Sequence, residues 1–268
     1  MIIKLRDIIR LGYFWFFRLR SGNDYKKYLI IKSSVLINYL KVHIKNSGRL
    51  LEVGVQSGEM TPFLKDISSS IVSIDIDKSH LILAKKKLPD SEVICCDILH
   101  PPFKQKVFDT VILNSVIEHI RDDDITLIEI YKLLDNNGYI YIGFPPWYNI
   151  FGGHSSIPFF SLLPLKMRNK LSKYKFVRAY PTYPRSVKDL EKKLKDLFII
   201  VDRNSMFLPY ILIRYPLYEF DFFMTFICTK KPMTEVHIRK LWIQNRDRHK
   251  SNATELREYW NKIDFHFL

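Results

Sequence analysis

Three acidic residues stand at the ends of three successive apolar segments, and two glycines lie in the turn after the first segment. The acids are Glu52, Asp75 and Asp97, and the glycines are Gly54 and Gly58. An acid that ends a strand commonly caps the next helix, but three in succession favour ligand binding over capping. Carboxylates accept hydrogen bonds from amino and hydroxyl groups, and glycine lets the backbone approach a ligand closely. The pattern predicts a nucleoside-binding site at one edge of a parallel sheet.

The spacing of the glycines argues against a dinucleotide ligand. The dinucleotide fingerprint has three glycines and opens a helix whose N-terminus faces a pyrophosphate. Here Gln56 occupies the position of the middle glycine, between Gly54 and Gly58. The sequence therefore disfavours a pyrophosphate and makes a nicotinamide-dependent enzyme a distant alternative.

The segments that carry these residues alternate between strand and helix patterns, which is typical of a doubly wound parallel sheet. The predicted strands of this part of the chain lie at residues 49–53, 71–77, 93–98, 108–114 and 139–145. Because the carboxyl ends of parallel strands meet at one edge of a sheet, the acids are expected to lie near one another.

Polar residues mark the beginnings of three predicted helices. Asp77 and Ser186 are predicted N-caps of the helices that follow them. Three aspartates, residues 122–124, precede a predicted helix at 125–134, where negative charge is favourable for the helix macrodipole. We expect residues 136–138 to close that helix, and we interpret the aspartates as helix-stabilising rather than metal-binding.

In order and spacing, the segments from about Arg49 to about Pro145 resemble the class I S-adenosylmethionine-dependent methyltransferases, chiefly their small-molecule branch. The resemblance is specific because four separate motifs agree, the last of them at residues 114–119. It implies an α/β fold with a doubly wound, seven-stranded, mostly parallel Rossmann-like sheet and an inserted lid region. The last strand, residues 222–229, is expected to pair antiparallel with the sixth, at 198–201.

The resemblance implies S-adenosylmethionine as the cofactor and assigns eight residues to it: Glu52, Gly54, Gly58, Asp75, Ile76, Asp97, Ile98 and Asn114. The first three are expected to form the turn around the methionine part. Asp75 is expected to accept hydrogen bonds from both ribose hydroxyls, and Ile76 to pack on the adenine face. Asp97 and the backbone of Ile98 are expected to bind the adenine edge, and Asn114 to contribute backbone contacts.

Two histidines are candidates for a catalytic base. Methyl transfer depends on in-line positioning, with a base where the nucleophile is a hydroxyl, and histidine suits that role near neutral pH. His154, in a glycine-rich segment beyond the fifth strand, is the first candidate. His119, directly after the fourth strand, is the second, and its pair with Glu118 resembles one frequent in the small-molecule branch. No metal site is expected.

An aromatic and proline-rich stretch follows the fifth strand and is predicted to roof the acceptor pocket. Its aromatic residues include Trp147, Tyr148, Phe151, Phe159 and Phe160. Basic residues at 166–178 flank them, so the stretch suits an amphipathic acceptor such as a lipid-linked or phosphate-bearing glycan, or a prenylated or polyketide-like hydroxyl compound. The segment 145–147 resembles a signature of planar-amine methyltransferases, but that signature follows the fourth strand. We therefore expect O-methylation of a small-molecule, glycan or lipid-linked acceptor.

The resemblance, together with composition, implies that the chain has three parts. They are an N-terminal helical segment (1–48), a methyltransferase domain (49–231) with an insertion (146–185), and a basic helical C-terminal extension (232–268). The first 20 residues mix aromatic and basic side chains, which is unlike a signal peptide or a membrane span. They are predicted to form either a lid or a helix on an anionic membrane surface. A second helix, at 25–44, is expected to cover the edge of the sheet.

The charge and the cysteines bear on partners and compartment. A formal net charge of +14 favours polyanions, so an RNA methyltransferase is the first alternative. A non-catalytic scaffold that binds the cofactor or docks on a membrane is the second. We expect a small-molecule or lipid-linked substrate and peripheral membrane contact; nucleic acid is disfavoured, and no protein partner is indicated. Three cysteines form no disulfide framework, which predicts a cytoplasmic protein.

Overall fold

The computed structural model describes residues 22–45, 47–146, 163–164, 167, 170, 183, 185–205 and 223–250. Its helices are α1 (Gly22–His43), α2 (Thr61–Leu64), α3 (Lys78–Lys87), α4 (Asp123–Leu133), α5 (Val187–Leu197) and α6 (Glu235–Lys250), with a 3-10 helix at Ile117–His119. Its strands are β1 (Ser47–Val53), β2 (Ser68–Asp75), β3 (Glu92–Cys95), β4 (Phe108–Asn114), β5 (Leu134–Phe144), β6 (Phe198–Ser205) and β7 (Met224–Lys230).

The strands of the described residues form one sheet in the order β3-β2-β1-β4-β5-β7-β6. Strands β1 to β5 pair in parallel, and β7 runs antiparallel to both β5 and β6. The strand order reverses between β1 and β4, and open α/β sheets bind ligands outside the carboxyl ends of the strands at such a switch point. The predicted α/β fold, including its antiparallel last strand, is confirmed.

Alternating side chains build an apolar layer on each face of the sheet. Val111 and Leu113 of β4 belong to the layer beneath α4 and α5, whereas Ile112 belongs to the layer beneath α1. Leu36 and Leu40 of α1 are fully buried in that second layer. The expectation that this helix covers an edge of the sheet is wrong, because its apolar stripe packs on a face.

The C-terminal extension contributes α6, which packs beside α4. Leu241 and Trp242 of α6 contact the first apolar layer, and the Lys132 ammonium lies 5.6 Å from the centre of the Trp242 ring.

The boundaries of the three parts of the chain stay predictions. Residues 1–21 and most of the insertion at 146–185 lie outside the described residues. The aromatic side chains that are predicted to roof a pocket belong to this part of the insertion.

The two predicted helix caps are confirmed. The Asp77 carboxylate accepts a hydrogen bond from the Ser79 backbone N–H at 2.8 Å, and the Ser186 hydroxyl accepts one from the Asp189 N–H at 3.0 Å. Each bond satisfies a donor that the first turn of a helix leaves unpaired. The beginnings of α3 and α5 are therefore fixed by local sequence.

The predicted closure of α4 at residues 136–138 is wrong. The helix ends at Leu133, and β5 begins with the next residue, so these residues belong to the strand. Pairing with β4 explains the difference, since Leu134 is already in register with Phe108, and an irregularity follows before Thr110 meets Tyr139. Long-range strand pairing overrides the local turn propensity of Asn and Gly.

Two aspartates in the first turn of α4, Asp123 and Asp124, form ion pairs. Asp123 is 2% exposed; its Oδ1 accepts a hydrogen bond from Lys193 Nζ at 2.9 Å, and its Oδ2 lies 3.1 Å from Arg185 Nε. Arg185 also donates to the backbone carbonyls of Ile120 and Arg121. A buried carboxylate is tolerated when cations neutralise it. Asp123 therefore joins the beginning of α4 to Lys193 of α5 and to Arg185, and Arg185 in turn contacts the loop that precedes α4.

Candidate functional site

The predicted site residues converge because β1, β2 and β4 are neighbours that end at the same edge. Glu52 is in register with Ser73 on β2 and with Ile112 on β4. Asp75 and Asn114 each follow two residues later on those strands. Since neighbouring strands are about 4.8 Å apart, the three side chains lie within the span of one nucleoside.

The turn after β1 has three residues with a left-handed backbone. Gly54 has φ +77°, Gln56 has φ +49° and Gly58 has φ +78°. A β-carbon at Gly54 would lie 2.5 Å from Val116 Cγ2, and one at Gly58 would lie 2.9 Å from Leu88 Cδ1. Gln56 thus adopts the conformation that favours glycine, at a cost of about 1–2 kcal/mol. Although Gln56 stands where the pattern has a glycine, the backbone at this position is still left-handed.

This strain gives a testable prediction at Gln56. Replacement with Val is expected to lower the free energy of unfolding by roughly 1–2 kcal/mol, because a β-branched side chain is strongly disfavoured at positive φ. Replacement with Gly is expected to change it by less than about 0.5 kcal/mol, since relief of strain is offset by the greater freedom of glycine in the unfolded chain. Urea denaturation measures both variants, and equal destabilisation would contradict the left-handed turn.

Asp75 links the turn to β2. Its carboxylate is 8% exposed; Oδ2 accepts a hydrogen bond from the Gln56 N–H at 2.9 Å, and Oδ1 accepts one from the Asp77 N–H at 2.9 Å. The His80 ring nitrogen Nδ1 lies 3.4 Å from Oδ1. Backbone donors thus orient the carboxylate, which leaves a lone pair on Oδ2 for a ligand, while the His80 ring lies at the second site on Oδ1.

Glu52 is the buried acid of the site. It is 1% exposed, and its Oε2 accepts hydrogen bonds from Thr61 Oγ1 and Ser73 Oγ, both at 2.7 Å. Burial raises the pKa of Glu52 to about 7, although these two hydrogen bonds act in the opposite direction. Both hydroxyls contact the same oxygen, so Oε1 takes neither bond. A cation bound nearby would favour the ionised form.

Asn114 has an unused hydrogen-bond acceptor at the end of β4. Its Nδ2 donates to Met60 Sδ at 3.4 Å, while its buried Oδ1 has no hydrogen-bond partner among the described residues. Leaving a buried amide oxygen unpaired is unfavourable by roughly 1–3 kcal/mol. A donor group of a ligand at this edge would satisfy it.

The residues expected to contact adenine lie beyond the ends of β2 and β3. Ile76 is 66% exposed, which is unusual for a large apolar side chain next to a buried acid. Asp97 Oδ1 accepts a hydrogen bond from the Leu99 N–H at 2.9 Å, and the Ile98 side chain is buried in the core. Ile76 therefore offers an apolar surface for a ring, and Ile98 offers its backbone only.

A cation from α1 reaches the same edge. Lys32 Nζ donates a hydrogen bond to Ser115 Oγ at 3.1 Å and lies 4.3 Å from the centre of the Phe223 ring. Ser115 follows β4 and has φ +61°, and Phe223 precedes β7. Since β5 lies between β4 and β7, Lys32 stands over the end of β5, one strand beyond Asn114.

Of the two candidate histidines, only one lies in the described part of the chain. His119 ends the 3-10 helix after β4, where its N–H donates to the Val116 carbonyl at 2.8 Å. Its neighbour Glu118 is 2% exposed, and burial raises the pKa of that carboxyl, partly offset by the charge of His119. His154 lies outside the described residues. The topology thus brings His119 to the edge that carries Asn114.

Sequence reasoning missed two residues of this edge, His80 and Lys32. His80 is the third residue of α3, after the N-cap Asp77, so the position of the cap was a usable signal for a side chain near Asp75. For Lys32 no local signal existed, because it meets Ser115 across 83 residues of sequence.

The arrangement fits an adenosine linked to an amino-acid group. The Asp75 carboxylate suits two ribose hydroxyls, Ile76 suits a flat ring, and Glu52 and the Asn114 Oδ1 suit a protonated amine. Between these groups, the left-handed turn presents its backbone to a ligand rather than side chains. S-adenosylmethionine has all of these parts, so the residues present fit the cofactor expected from the sequence.

Comparison with known proteins supports one family for the part of the chain that carries the site. A family model described as a methyltransferase domain matches residues 51–142, which include all eight residues predicted to bind the cofactor. The match supports the class I S-adenosylmethionine-dependent methyltransferase family that this part of the sequence resembles. The family's cofactor is S-adenosylmethionine, and its members are enzymes of the transferase class.

Curated relatives of this methyltransferase match over a similar length. A ubiquinone biosynthesis O-methyltransferase of Pelagibacter ubique is 29% identical over 100 residues, 35% of this chain and 40% of the relative. A ubiquinone/menaquinone biosynthesis C-methyltransferase of Xylella fastidiosa is 28% identical over 104 residues, 35% of this chain and 41% of the relative. An uncharacterized protein of Methanocaldococcus jannaschii is 32% identical over 98 residues, 37% and 41% of the two chains. The match thus spans about two-fifths of each relative.

Solved structures share the fold of the methyltransferase. A Pyrococcus horikoshii protein aligns with a TM-score of 0.56 at 16% identity, covering 79% of this chain and 93% of the other. An N-methyltransferase of Bradyrhizobium japonicum, in complex with S-adenosyl-L-homocysteine, aligns with a TM-score of 0.51 at 12% identity, covering 75% and 87%. Among the described helices, none combines the length and the apolarity needed to cross a bilayer.

Proposed function

We propose that the protein transfers the methyl group of S-adenosylmethionine to a hydroxyl of a small-molecule, glycan or lipid-linked acceptor. The observation that carries the proposal is the pair of acids on adjacent strands, Glu52 and Asp75, joined by the left-handed turn at Gln56. Such a pair can hold an amino group and a ribose at one edge of a sheet. A structural role alone does not explain why a large apolar side chain, Ile76, is exposed beside them.

The residues hold the reactants and move one proton. S-adenosylmethionine supplies an activated methyl group on a positively charged sulfur. Glu52, Asp75 and Asn114 would bind and orient it, and a base would take the proton of the acceptor hydroxyl. The products would be a methyl ether and S-adenosylhomocysteine, with the proton on the base. His154 and His119 are the proposed bases, and most of the rate acceleration comes from positioning.

The groups beyond Asn114 support an acceptor with an apolar body and a negative charge. The Lys32 ammonium and the Phe223 ring lie at the end of β5 and the beginning of β7, on the far side of Asn114 from the turn. The O-methyltransferase named among the relatives agrees with an oxygen acceptor, whereas another relative is a C-methyltransferase. We propose a cytoplasmic protein, since Cys95, Cys96 and Cys228 are free thiols. We also propose peripheral contact with an anionic membrane, since the formal net charge is +14.

Two measurements test the proposal. Calorimetric titration with S-adenosylmethionine and S-adenosylhomocysteine is expected to give micromolar dissociation constants. Radiolabelled methyl transfer is then measured with 3,4-dihydroxybenzoate, its prenylated ester in detergent, and total RNA. Labelling of either phenol supports the proposal. Labelling of RNA alone, with a steep salt dependence, would favour the RNA methyltransferase alternative, and binding without transfer to any probe would favour a non-catalytic scaffold.

A further inference from the structure

The carboxylate expected to hold the ribose already has most of its hydrogen-bonding capacity engaged. Each carboxylate oxygen has about two lone pairs for hydrogen bonds. Asp75 Oδ2 accepts one bond, from the Gln56 N–H, and keeps one site. Oδ1 accepts the Asp77 N–H at 2.9 Å and faces His80 Nδ1 at 3.4 Å. A ribose that donates two hydroxyls therefore needs the site on Oδ1 that His80 occupies.

The surroundings of His80 favour its charged form. Its side chain is 42% exposed on the first turn of α3, and Nε2 lies 3.9 Å from Asp77 Oδ2. Asp75 faces it from the end of β2, and Glu59 acts on it from the turn after β1. Glu59 is itself paired with Lys87 at 2.6 Å, which reduces its influence. The hydrogen bond with Asp75, followed by these charges, raises the pKa of His80 above its usual value.

We propose that protonated His80 competes with the ribose of the cofactor for Asp75 Oδ1, so that the ring must leave this oxygen before the adenosine binds. The inference rests on the proposed function, because it assumes that Asp75 binds the ribose. His80 is then a positioning residue that acts through Asp75.

The direction of the effect follows from linkage. Below its pKa, His80 is a cation held by Asp75, and ribose binding breaks that contact. Above its pKa, the ring is neutral, so the contact that ribose binding breaks is weaker, because the attraction between two opposite charges is gone. Affinity for an adenosine ligand should therefore rise with pH, and binding should release a proton from His80. Because the pair is partly exposed, the expected change is roughly two- to fivefold.

A ligand without the amino-acid part isolates this effect from the titration of Glu52. 5′-Deoxy-5′-methylthioadenosine keeps the ribose hydroxyls and the adenine but has no amino group. Its dissociation constant, measured by calorimetry from pH 5.5 to 8.5, is expected to be two- to fivefold weaker at the acid end for the wild type. The His80→Gln variant should bind the same probe with a flat pH profile and more tightly than the wild type at pH 5.5.

A matched control is available at the other end of the sheet. His43 forms a similar pair, with Nε2 3.1 Å from Asp202 Oδ2, and His43→Gln should leave the pH profile unchanged. A pH profile for His80→Gln that matches the wild type would overturn the inference while the proposed function stands. Failure of both this probe and S-adenosylhomocysteine to bind the wild type at any pH would overturn both. NMR titration of the His80 ring should show its pKa falling when the probe is added.

Discussion

Replacing Asp75 with Ala is expected to weaken S-adenosylhomocysteine binding by roughly 100- to 10,000-fold. A hydrogen bond to a charged group contributes roughly 1.5–3 kcal/mol, and the ribose is proposed to make two of them with this carboxylate. The variant also loses the acceptor that orients the turn, since the Gln56 and Asp77 N–H groups donate to the same side chain. Calorimetry measures the loss, with circular dichroism to establish that the variant is folded.

The Asn variant separates charge from shape. Asp75→Asn keeps the size of the side chain and one acceptor oxygen, but its amide nitrogen faces one of the two backbone N–H donors. It is therefore expected to fold with a small loss of stability and to bind about 10- to 100-fold more weakly. Asp66→Ala is the control, because Asp66 pairs with Lys41 at an exposed position and its loss should leave affinity unchanged. Wild-type affinity in both Asp75 variants would show that the ribose binds elsewhere.

The acids at this edge could be predicted from sequence because the information is local. An apolar run followed by an acid, repeated three times, determines where Glu52, Asp75 and Asp97 must lie once the strands are parallel and adjacent. The caps Asp77 and Ser186 were predictable for the same reason, since a cap depends only on the next three residues. The roles of these acids in binding stay predictions.

Features that depend on distant parts of the chain were not predictable. Apolar periodicity gives α1 one buried face, but it does not state which surface that face meets, so Lys32 could not be placed beside Ser115. The beginning of β5 was missed because pairing with β4, rather than the Asn and Gly residues themselves, determines the backbone there. Gln56 has a left-handed φ and donates its N–H to Asp75, a residue that the sequence around Gln56 does not contain.

Replacing Glu52 with Gln is expected to stabilise the ligand-free protein while weakening cofactor binding. The pKa of Glu52 is about 7 in the folded protein, against 4.5 ordinarily. Between these values the unfolded chain has lost a proton that the folded state retains, so stability falls as pH rises from 4.5 to 7 and stays low above pH 7. At about 1.4 kcal/mol per pKa unit, the penalty above pH 7 is up to about 3 kcal/mol. A neutral Gln avoids it and still accepts the hydrogen bonds of Thr61 and Ser73.

The ligand responses distinguish a binding role from a structural one. The amide cannot neutralise an ammonium group, so Glu52→Gln should bind S-adenosylhomocysteine roughly 10- to 100-fold more weakly at pH 8, whereas affinity for 5′-deoxy-5′-methylthioadenosine, which has no amino group, should change little. Urea denaturation at pH 5 and 8 should show a wild-type loss of stability that the variant lacks. A purely structural Glu52 would weaken both ligands alike. The opposite responses follow from one cause: the free site holds a buried acid whose ionisation is unfavourable until a cation binds beside it.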